Sequence, residues 1–231
     1  MNKERLIPTS YEKIDAVLGG GISVPSINYF SGYGGRAQFA GLVRIIDMIA
    51  ANCPVDLWML GDDDTQDVRR VLSLLSMVHG DKVRYFTLNN SLIRPQESSA
   101  RIVVICILSL ENELVPSLPI LQVLAQEMQV AFILYYNGAT IADPRVDLGA
   151  LNTASAARFH YQHGVVIEPE SSVMAPVPQL VTEEVIRKEG EFTKPGELFG
   201  LLRVINVGEG KSADAVLIPT FCENASKLLL N

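Results

Sequence analysis

Residues 27–51 place the strongest constraint on how this chain folds. They read INYFSGYGGRAQFAGLVRIIDMIAA: a short apolar run, then three glycines within four residues, then apolar side chains at helical spacing. This order predicts a strand, a glycine-rich turn and an amphipathic helix. Backbone N–H groups at the start of such a helix can hold phosphate, so the stretch is also a candidate anion site.

The rest of the chain alternates predicted strands with helical patterns, which is typical of an α/β fold. Residues 101–108 are almost entirely apolar, as expected of a central strand that is covered on both faces. We therefore predict a mainly parallel, twisted sheet flanked by helices and wound with right-handed crossovers. The predicted strands are residues 27–30, 55–60, 82–88, 101–108, 130–135 and 164–168.

The N-terminal segment carries signals for one short helix. Ser10 is predicted to cap a helix that runs through Val17. The three glycines at 19–21 are predicted to end it, because glycine readily adopts the backbone conformation that follows a helix.

The C-terminal part of the chain predicts a β-hairpin. Residues 201–207 and 213–221 are strand-like and flank a short turn, GEGK. Residues 169–199 show little periodicity and are interpreted as a partly flexible insertion. With no internal repeat, residues 1–231 are predicted to form a single domain.

Composition narrows the class of protein. The chain has 231 residues, 48% of them hydrophobic, and a formal net charge of −7, which argues against a broad nucleic-acid-binding surface. Its three cysteines form no CxxC pair, so reduced thiols in the cytoplasm are expected. No apolar run is long enough to cross a bilayer and no signal peptide is apparent, so a cytoplasmic protein without a membrane partner is predicted.

The histidines, serines and cysteines of the sequence show no pattern typical of a metal site or of a catalytic nucleophile. His79, His160 and His163 lack the spacing of a zinc site, and no metal site is predicted. His160 is expected at the surface or at a strand edge. No serine or cysteine shows the pattern of a nucleophile with a partner base.

Several segments, taken in order, resemble the RecA-like superfamily, which includes RecA recombinases, KaiC-type proteins and DnaB-type helicase cores. The first, IPTSYEKIDAVLGGGI, is similar to the "TG…LD…LGGG" opening of that superfamily. LWMLGDDD resembles the strand that carries the catalytic glutamate, and IVVICILSL the Walker B strand. LQVLAQEMQVAFILYYN and DPRVDLGALNTASAARFHYQHGVVIE resemble later DnaB-type segments. The resemblance implies a RecA-like core over most of the chain.

The resemblance also implies a phosphate loop, and this chain departs from its pattern. A working loop reads GxxxxGK[ST], in which lysine reaches the phosphates and the hydroxyl holds Mg²⁺. The best register places Arg36 at the lysine, Ala37 at the hydroxyl and Phe30 at the first glycine. A second register places Ala37 at the lysine and Gln38 at the hydroxyl. Neither register restores the motif, so Walker A is predicted to be degenerate.

Two further parts of the implied reaction centre also differ. Cys106 stands where the Walker B strand carries aspartate, and a neutral thiol cannot orient hydrated Mg²⁺. In the closing hairpin, Ile205, Asn206 and Val207 occupy the lysine–asparagine–arginine positions. Only the catalytic-acid position keeps a carboxylate, a shorter one, at Asp62 or Asp63. Together these changes predict an inactive ATPase.

Residual binding sites are predicted at two loops. Gly32, Gly34 and Gly35 can form an anion-binding nest beside Arg36, although a tight turn kept for packing is the favoured alternative. On this basis no cofactor is expected, with ATP and Mg²⁺ as the alternative. The acidic run that begins at Asp62 is interpreted as a helix cap rather than a metal site.

The second loop, residues 137–152, occupies the position where RecA-like proteins present DNA-binding residues. Arg145 is its only cation, and Asp143 and Asp147 lie beside it. Because phosphate contacts supply most non-specific DNA affinity, this loop predicts little affinity for single-stranded DNA at physiological salt.

The sequence therefore predicts a RecA/DnaB-like protein with degenerate Walker A and B motifs that acts by binding in DNA replication, recombination or repair. It would assemble with itself or dock on a protein partner through its RecA-like edges. SulA and ImuA, RecA-like proteins without a working phosphate loop, share this departure, and GGGISVPS…GYGG resembles ImuA. Two alternatives stay open: a diverged ATP-dependent recombinase or helicase core that uses Arg36 with Asp62 or Asp63, and a single-stranded-DNA binder.

Overall fold

Eight strands form one mainly parallel sheet in the computed structural model of the chain. The structure describes residues 5–32, 35–60, 73, 75–88, 99–107, 117–136, 146–165 and 198–217, with backbone alone at 32, 35–40, 162–165, 198–201 and 214–217. The strands are β1 (Arg5–Ile7), β2 (Ile22–Val24), β3 (Ser26–Gly32), β4 (Val55–Leu60), β5 (Val83–Leu88), β6 (Ile102–Ile107), β7 (Ala131–Tyr136), β8 (Ala157–Val165), β9 (Leu198–Asn206) and β10 (Lys211–Leu217). The helices are α1 (Glu12–Val17), α2 (Gly35–Ala50), α3 (residues 75–79), α4 (Leu118–Met128) and α5 (Leu148–Ala154), with a 3₁₀ turn at Gly80–Lys82.

The strand order of the large sheet is β10-β9-β8-β3-β7-β6-β4-β5. The six strands from β8 to β5 pair in parallel, and β9 and β10 add an antiparallel hairpin beside β8. This confirms the predicted α/β class, the mainly parallel sheet and the C-terminal hairpin. β3, the strand before the glycine-rich turn, lies inside the sheet between β7 and β8.

Helices cover both faces of the parallel part of the sheet. We call them the α2 face, where α1, α2 and α3 pack, and the α4 face, where α4 and α5 pack. Every residue of β4, β6 and β7 is buried. This double burial explains why these strands read as continuous apolar runs rather than alternating ones.

Helix α2 packs unusually close to the sheet at Gly41. A Cβ atom placed there would lie 2.2 Å from Cγ of Tyr161 on β8, so only glycine fits this approach. Farther along α2, Asp47 forms an ion pair with Arg44, and its Oδ1 lies 2.8 Å from Nε2 of His79. These polar contacts tie α2 to the end of α3.

The N-terminal segment folds differently from its prediction. The first residue before α1 is Tyr11, without a side-chain cap, and Ser10 instead has a positive φ of 63° and contacts Asn52. The predicted Ser10 cap is therefore wrong. The small antiparallel sheet of β1 and β2 was not predicted from the sequence.

The resemblance segment around Thr9 has a structural explanation. Asp15 Oδ1 accepts hydrogen bonds from the backbone N–H and the hydroxyl of Thr9, both at 2.8 Å. Gly21 follows with a φ of +141°, and a Cβ there would lie 2.3 Å from the Ile7 carbonyl oxygen. Thr9, Asp15 and Gly21 of this motif therefore fix the backbone where the chain approaches the sheet.

Strand β8 begins earlier than predicted. It starts at Ala157 and passes through the HYQH segment, whereas the prediction placed a strand only at 164–168. Residues 169–197 of the predicted insertion lie outside the described residues, its last two residues (198 and 199) belong to β9, and the single-domain prediction stays a prediction. Within the described ranges, no helix combines the length and apolarity needed to span a membrane.

Candidate functional site

The strand and the helix predicted on either side of the glycine-rich segment are present as β3 and α2. Strand β3 ends at Gly32 and the 16-residue helix α2 begins at Gly35, so the N-terminus of a long helix lies at the carboxyl edge of a parallel sheet. Ligands of open α/β sheets bind at this edge, and a helix N-terminus favours anions there. Gly34 and the side chain of Arg36 lie outside the described residues, so the anion nest stays a prediction.

A row of buried side chains crosses the sheet beside this unit. Register pairs Phe30 with Tyr135, Tyr135 with Cys106, and Cys106 with Met59. All four belong to the core of the α2 face, and none is more than 6% exposed. The rings of Phe30 and Tyr135 lie 5.9 Å apart between centroids. We call these four residues the apolar row.

Cys106 is the member of the apolar row that stands where the resemblance implies the Walker B aspartate. It is fully buried, and burial raises the pKa of its thiol to about 12. The thiol is therefore neutral at physiological pH. Mg²⁺ prefers oxygen ligands and keeps several waters, and a neutral thiol does not supply an oxygen ligand.

Of the three hairpin residues at the lysine–asparagine–arginine positions, Asn206 makes a structural contact. Asn206, at the end of β9, donates from Nδ2 to the Val17 carbonyl at 3.1 Å. Its Oδ1 accepts the Glu209 N–H at 3.2 Å. The side chain thus joins the hairpin turn to the end of α1. Ile205 and Val207 flank it without supplying a cation.

A polar contact that the sequence did not reveal lies at the ends of β3 and β8. Ser31 Oγ is 3.0 Å from Nδ1 of His160, and both side chains are partly buried. Burial and the neighbouring Arg203 guanidinium lower the pKa of His160. His160 is therefore partly buried on a strand inside the sheet, whereas the sequence predicted the surface or a strand edge.

The charge beside the Ser31–His160 contact disfavours its use as a catalytic dyad. A general base must become cationic as it takes the serine proton, and an acidic group usually supports that state. Here Arg203, paired with His160 in the β8–β9 register, disfavours the imidazolium. The contact joins two strands without forming an activated nucleophile.

The structure describes some of the other predicted site residues and not others. Asp62, Asp63 and Arg145 lie outside the described residues. Asp147 caps α5, with Oδ1 accepting the Ala150 N–H at 2.9 Å. Among the described residues, no group of three or more His, Cys, Asp or Glu side chains could hold a metal ion.

The sequence analysis also missed a buried ion pair. Asp56 on β4 is fully buried, and its Oδ1 lies 3.2 Å from Nη2 of Arg84 on β5. The guanidinium carbon also lies 5.9 Å from the centroid of the Phe86 ring. A lone aspartate in an apolar strand, VDLWML, was the available signal, because buried carboxylates require a partner.

Comparisons with known proteins identify the fold. No family model and no curated protein sequence matches the chain. Among solved structures, the crystal structure of the flagellar accessory protein FlaH from Methanocaldococcus jannaschii matches with a TM-score of 0.54. The two share 12% sequence identity, and the match covers 92% of this chain and 98% of that chain. The chain therefore has the RecA-like fold, as predicted.

Proposed function

We propose that this RecA-like protein does not hydrolyse ATP and acts by binding a protein partner or other copies of itself. The apolar row carries the proposal. It places Cys106, a neutral buried thiol, where the resemblance expects the Mg²⁺-orienting aspartate, between Met59 and Tyr135.

Phosphoryl transfer explains why this substitution matters. Enzymes of this class do little covalent chemistry and instead position Mg²⁺ and cations around the transferred phosphate; one cationic finger alone contributes about 10³–10⁵ in rate. Here the Walker A lysine is replaced by Arg36, the Mg²⁺ hydroxyl by Ala37 and the Walker B aspartate by Cys106. Three changes in one reaction centre support a protein that has kept the fold without the activity.

The setting that we propose is DNA replication, recombination or repair, with a regulatory role. The RecA/DnaB-like order of segments supports it, and proteins of RecA-like fold commonly self-assemble, so a non-hydrolysing copy could cap or modulate a ring or filament. The name of the flagellar accessory protein indicates that the same fold serves other processes. A role with DNA therefore needs a direct test.

Calorimetry with ATP and Mg²⁺, paired with a phosphate-release assay, tests the central proposal. We expect no turnover above a no-protein control and no Mg²⁺-dependent gain in ATP affinity. Micromolar ATP binding with turnover that disappears in Arg36→Ala would contradict the proposal.

A diverged ATPase is the second candidate, and one observation favours it. The glycine-rich turn still leads into the 16-residue helix α2 at the carboxyl edge of the sheet, where backbone N–H groups can hold phosphate. If this candidate holds, Asp62→Asn or Asp63→Asn abolishes turnover while ATP binding is retained.

DNA binding is tested separately. Arg145 is the cation that the predicted DNA loop offers, so we expect little binding of single strands at physiological salt. A salt-titrated binding assay with single-stranded DNA measures this. Tight binding that weakens in Arg145→Ala would establish the loop as a DNA site.

A further inference from the structure

Strand β5 forms one edge of the large sheet. It is the last strand in the sheet order, and β4 is its only strand partner among the described residues. The other edge of β5 therefore carries backbone N–H and C=O groups that no described strand pairs. A row of such groups is a template for pairing with a further strand.

A groove of about 420 Å³ follows this edge. Residues 83–86 all line it, and Ser76, Gly80 and Asp81 line it as well. Successive side chains of a strand point to opposite faces of the sheet. Four consecutive residues can therefore meet one groove only where that groove runs along the edge of the strand.

The side chains of β5 agree with an accessible edge. Val83 is buried in the core of the α2 face, whereas Tyr85 is 57% exposed and Thr87 is also exposed. Ser76 Oγ donates to the Val83 carbonyl at 3.4 Å, so α3 contacts β5 at its first residue. From Tyr85 onward, the side chains of β5 on the α2 face are exposed.

β5 lacks the features that protect edge strands of natural proteins from pairing, which are proline, lysine and β-bulges. Its sequence, VRYFTL, contains neither proline nor lysine, and its register with β4 runs without a bulge over all six residues. The one charged side chain, Arg84, forms an ion pair with Asp56 of β4. Valine, tyrosine, phenylalanine and threonine are strand formers. The edge is therefore built to accept a strand.

The order of side chains in β5 favours a second copy of the same strand. Two copies related by a two-fold axis pair antiparallel, so the strand must be complementary to its own reverse. With the axis at Tyr85, this residue meets the partner's Tyr85, Arg84 meets Phe86, and Val83 meets Thr87, which has nearly the same shape. The Arg84 guanidinium carbon already lies 5.9 Å from the ring centroid of Phe86 in its own chain, the distance of a cation–π contact.

Neighbouring registers are less complementary. Opposite residues of a strand pair share a face of the sheet, so the axis must pass through a residue rather than between two. An axis at Arg84 would oppose two guanidinium groups, and like charges directly opposite are destabilising. An axis at Phe86 would place Arg84 opposite Leu88, without an aromatic ring. Tyr85 is therefore the position that the strand favours.

We propose that β5 is the edge through which two copies of this chain associate, antiparallel and with the two-fold axis at Tyr85. The pairing joins two eight-stranded sheets into one continuous sheet. One short strand per copy buries little surface, so the dimer is weak and depends on concentration. This inference rests on the proposed function, because it specifies the self-assembly surface of a protein that acts by binding.

Engineered cysteines test the register. In Tyr85→Cys the two thiols face each other across the axis, with Cβ atoms about 4.5–5.5 Å apart, so mild oxidation should yield a disulfide-linked dimer. Thr87→Cys is the matched control, because its two copies lie four residues apart along the pair, about 13 Å, and should not crosslink. Both variants keep the three natural cysteines, so crosslinking through those would appear in both. No Tyr85→Cys dimer, or equal crosslinking of Thr87→Cys, would overturn the proposal.

Charge changes at the axis test the symmetry. Tyr85→Lys and Tyr85→Glu each oppose like charges and remove the contact between tyrosines, so sedimentation equilibrium should show a dimer dissociation constant raised about tenfold or more. An equimolar mixture of the two variants should restore the dimer, because lysine then faces glutamate, and this recovery shows that both variants fold. Val123→Lys, at a similarly exposed position on α4, is the control and should dimerise like the unmodified chain.

Two results of sedimentation would contradict the proposal. One is a dimer that Tyr85→Lys leaves unchanged, which would place the interface elsewhere. The other is an unmodified chain that stays monomeric at every concentration, which would assign the edge of β5 to a strand of another protein or to another segment of the same chain.

The outcome is separable from that of the proposed function. ATP turnover by a chain that dimerises through Tyr85 would refute the non-hydrolysing proposal and leave the dimer standing. Absence of turnover in a chain that does not dimerise would do the reverse.

Discussion

The two faces of the sheet end differently at the same carboxyl edge. On the α2 face, the apolar row of Met59, Cys106, Tyr135 and Phe30 is buried and packed. On the α4 face, one residue further along β7, Tyr136 lines an open cleft. Open α/β sheets bind ligands at this edge, so the described residues leave room for a ligand on the α4 face, whereas the apolar row fills the same edge on the α2 face.

Placing a carboxylate in the apolar row should have the largest effect. Cys106→Asp would bury a charge where burial already raises the pKa of the thiol, and we expect a loss of about 3–5 kcal/mol in the free energy of unfolding, as for an uncompensated buried charge. Urea denaturation measures this loss. Cys106→Ala is the control and should cost less, because it introduces no charge.

One result for Cys106→Asp would contradict the difference between the two faces. If Cys106→Asp folds with unchanged stability and gains Mg²⁺-dependent ATP affinity, the α2 face retains room for a metal site. The distinction between a filled and an open face would then be wrong.

The packing of α2 gives the next largest effect. Gly41→Ala would place a Cβ atom 2.2 Å from Cγ of Tyr161, and the overpacking should cost about 1–3 kcal/mol in the free energy of unfolding. The sign is diagnostic, because glycine to alanine inside an ordinary helix stabilises by about 1 kcal/mol. Thermal or urea unfolding of the variant checks it, and a stabilised variant would contradict the close approach of α2 to β8.

The Ser31–His160 contact predicts the smallest effect, a dependence of stability on pH. Burial and Arg203 lower the pKa of His160 in the folded state below its ordinary value of 6.5. Between these two pKa values the unfolded chain binds more protons, so stability rises with pH through this window. The contribution of neutral His160 is thus present above about pH 6.5 and is lost as the pH falls below it.

Comparison with His160→Gln isolates this effect. The variant cannot titrate at this position, so its stability should fall less steeply than that of the unmodified chain below about pH 6.5. Denaturation at a series of pH values measures both slopes. Identical slopes would show that His160 is not held neutral between Ser31 and Arg203.

Strong local patterns made much of the fold predictable. The buried strand β6, the succession of β3 and α2, and the C-terminal hairpin each follow from spacing along the chain. Residues 157–163 of β8 were missed, although Ala157, Phe159 and Tyr161 alternate as buried residues. The polar residues between them suggested a surface, whereas β8 lies between β3 and β9.

Part of the candidate site could also be predicted from the sequence, and part could not. Residue type alone predicted that Cys106 could not orient hydrated Mg²⁺, and the structure adds that its thiol is buried and has a raised pKa. The inference about Mg²⁺ stays a prediction. No sequence pattern indicated that Ser31 meets His160 or that α4 and α5 leave a cleft. These contacts join residues that are far apart along the chain, and pairing of distant strands decides them.

By itself, the sequence determined the α/β class, the strand–turn–helix unit and the chemical identity of each candidate side chain, because these depend on residue type and local spacing. Tertiary structure alone decided that Phe30, Tyr135, Cys106 and Met59 share one buried row. Strand register sets which side chains become neighbours, and helix placement sets which face they meet. Neither quantity is encoded within a short stretch of chain, since both result from packing the whole sheet against its helices.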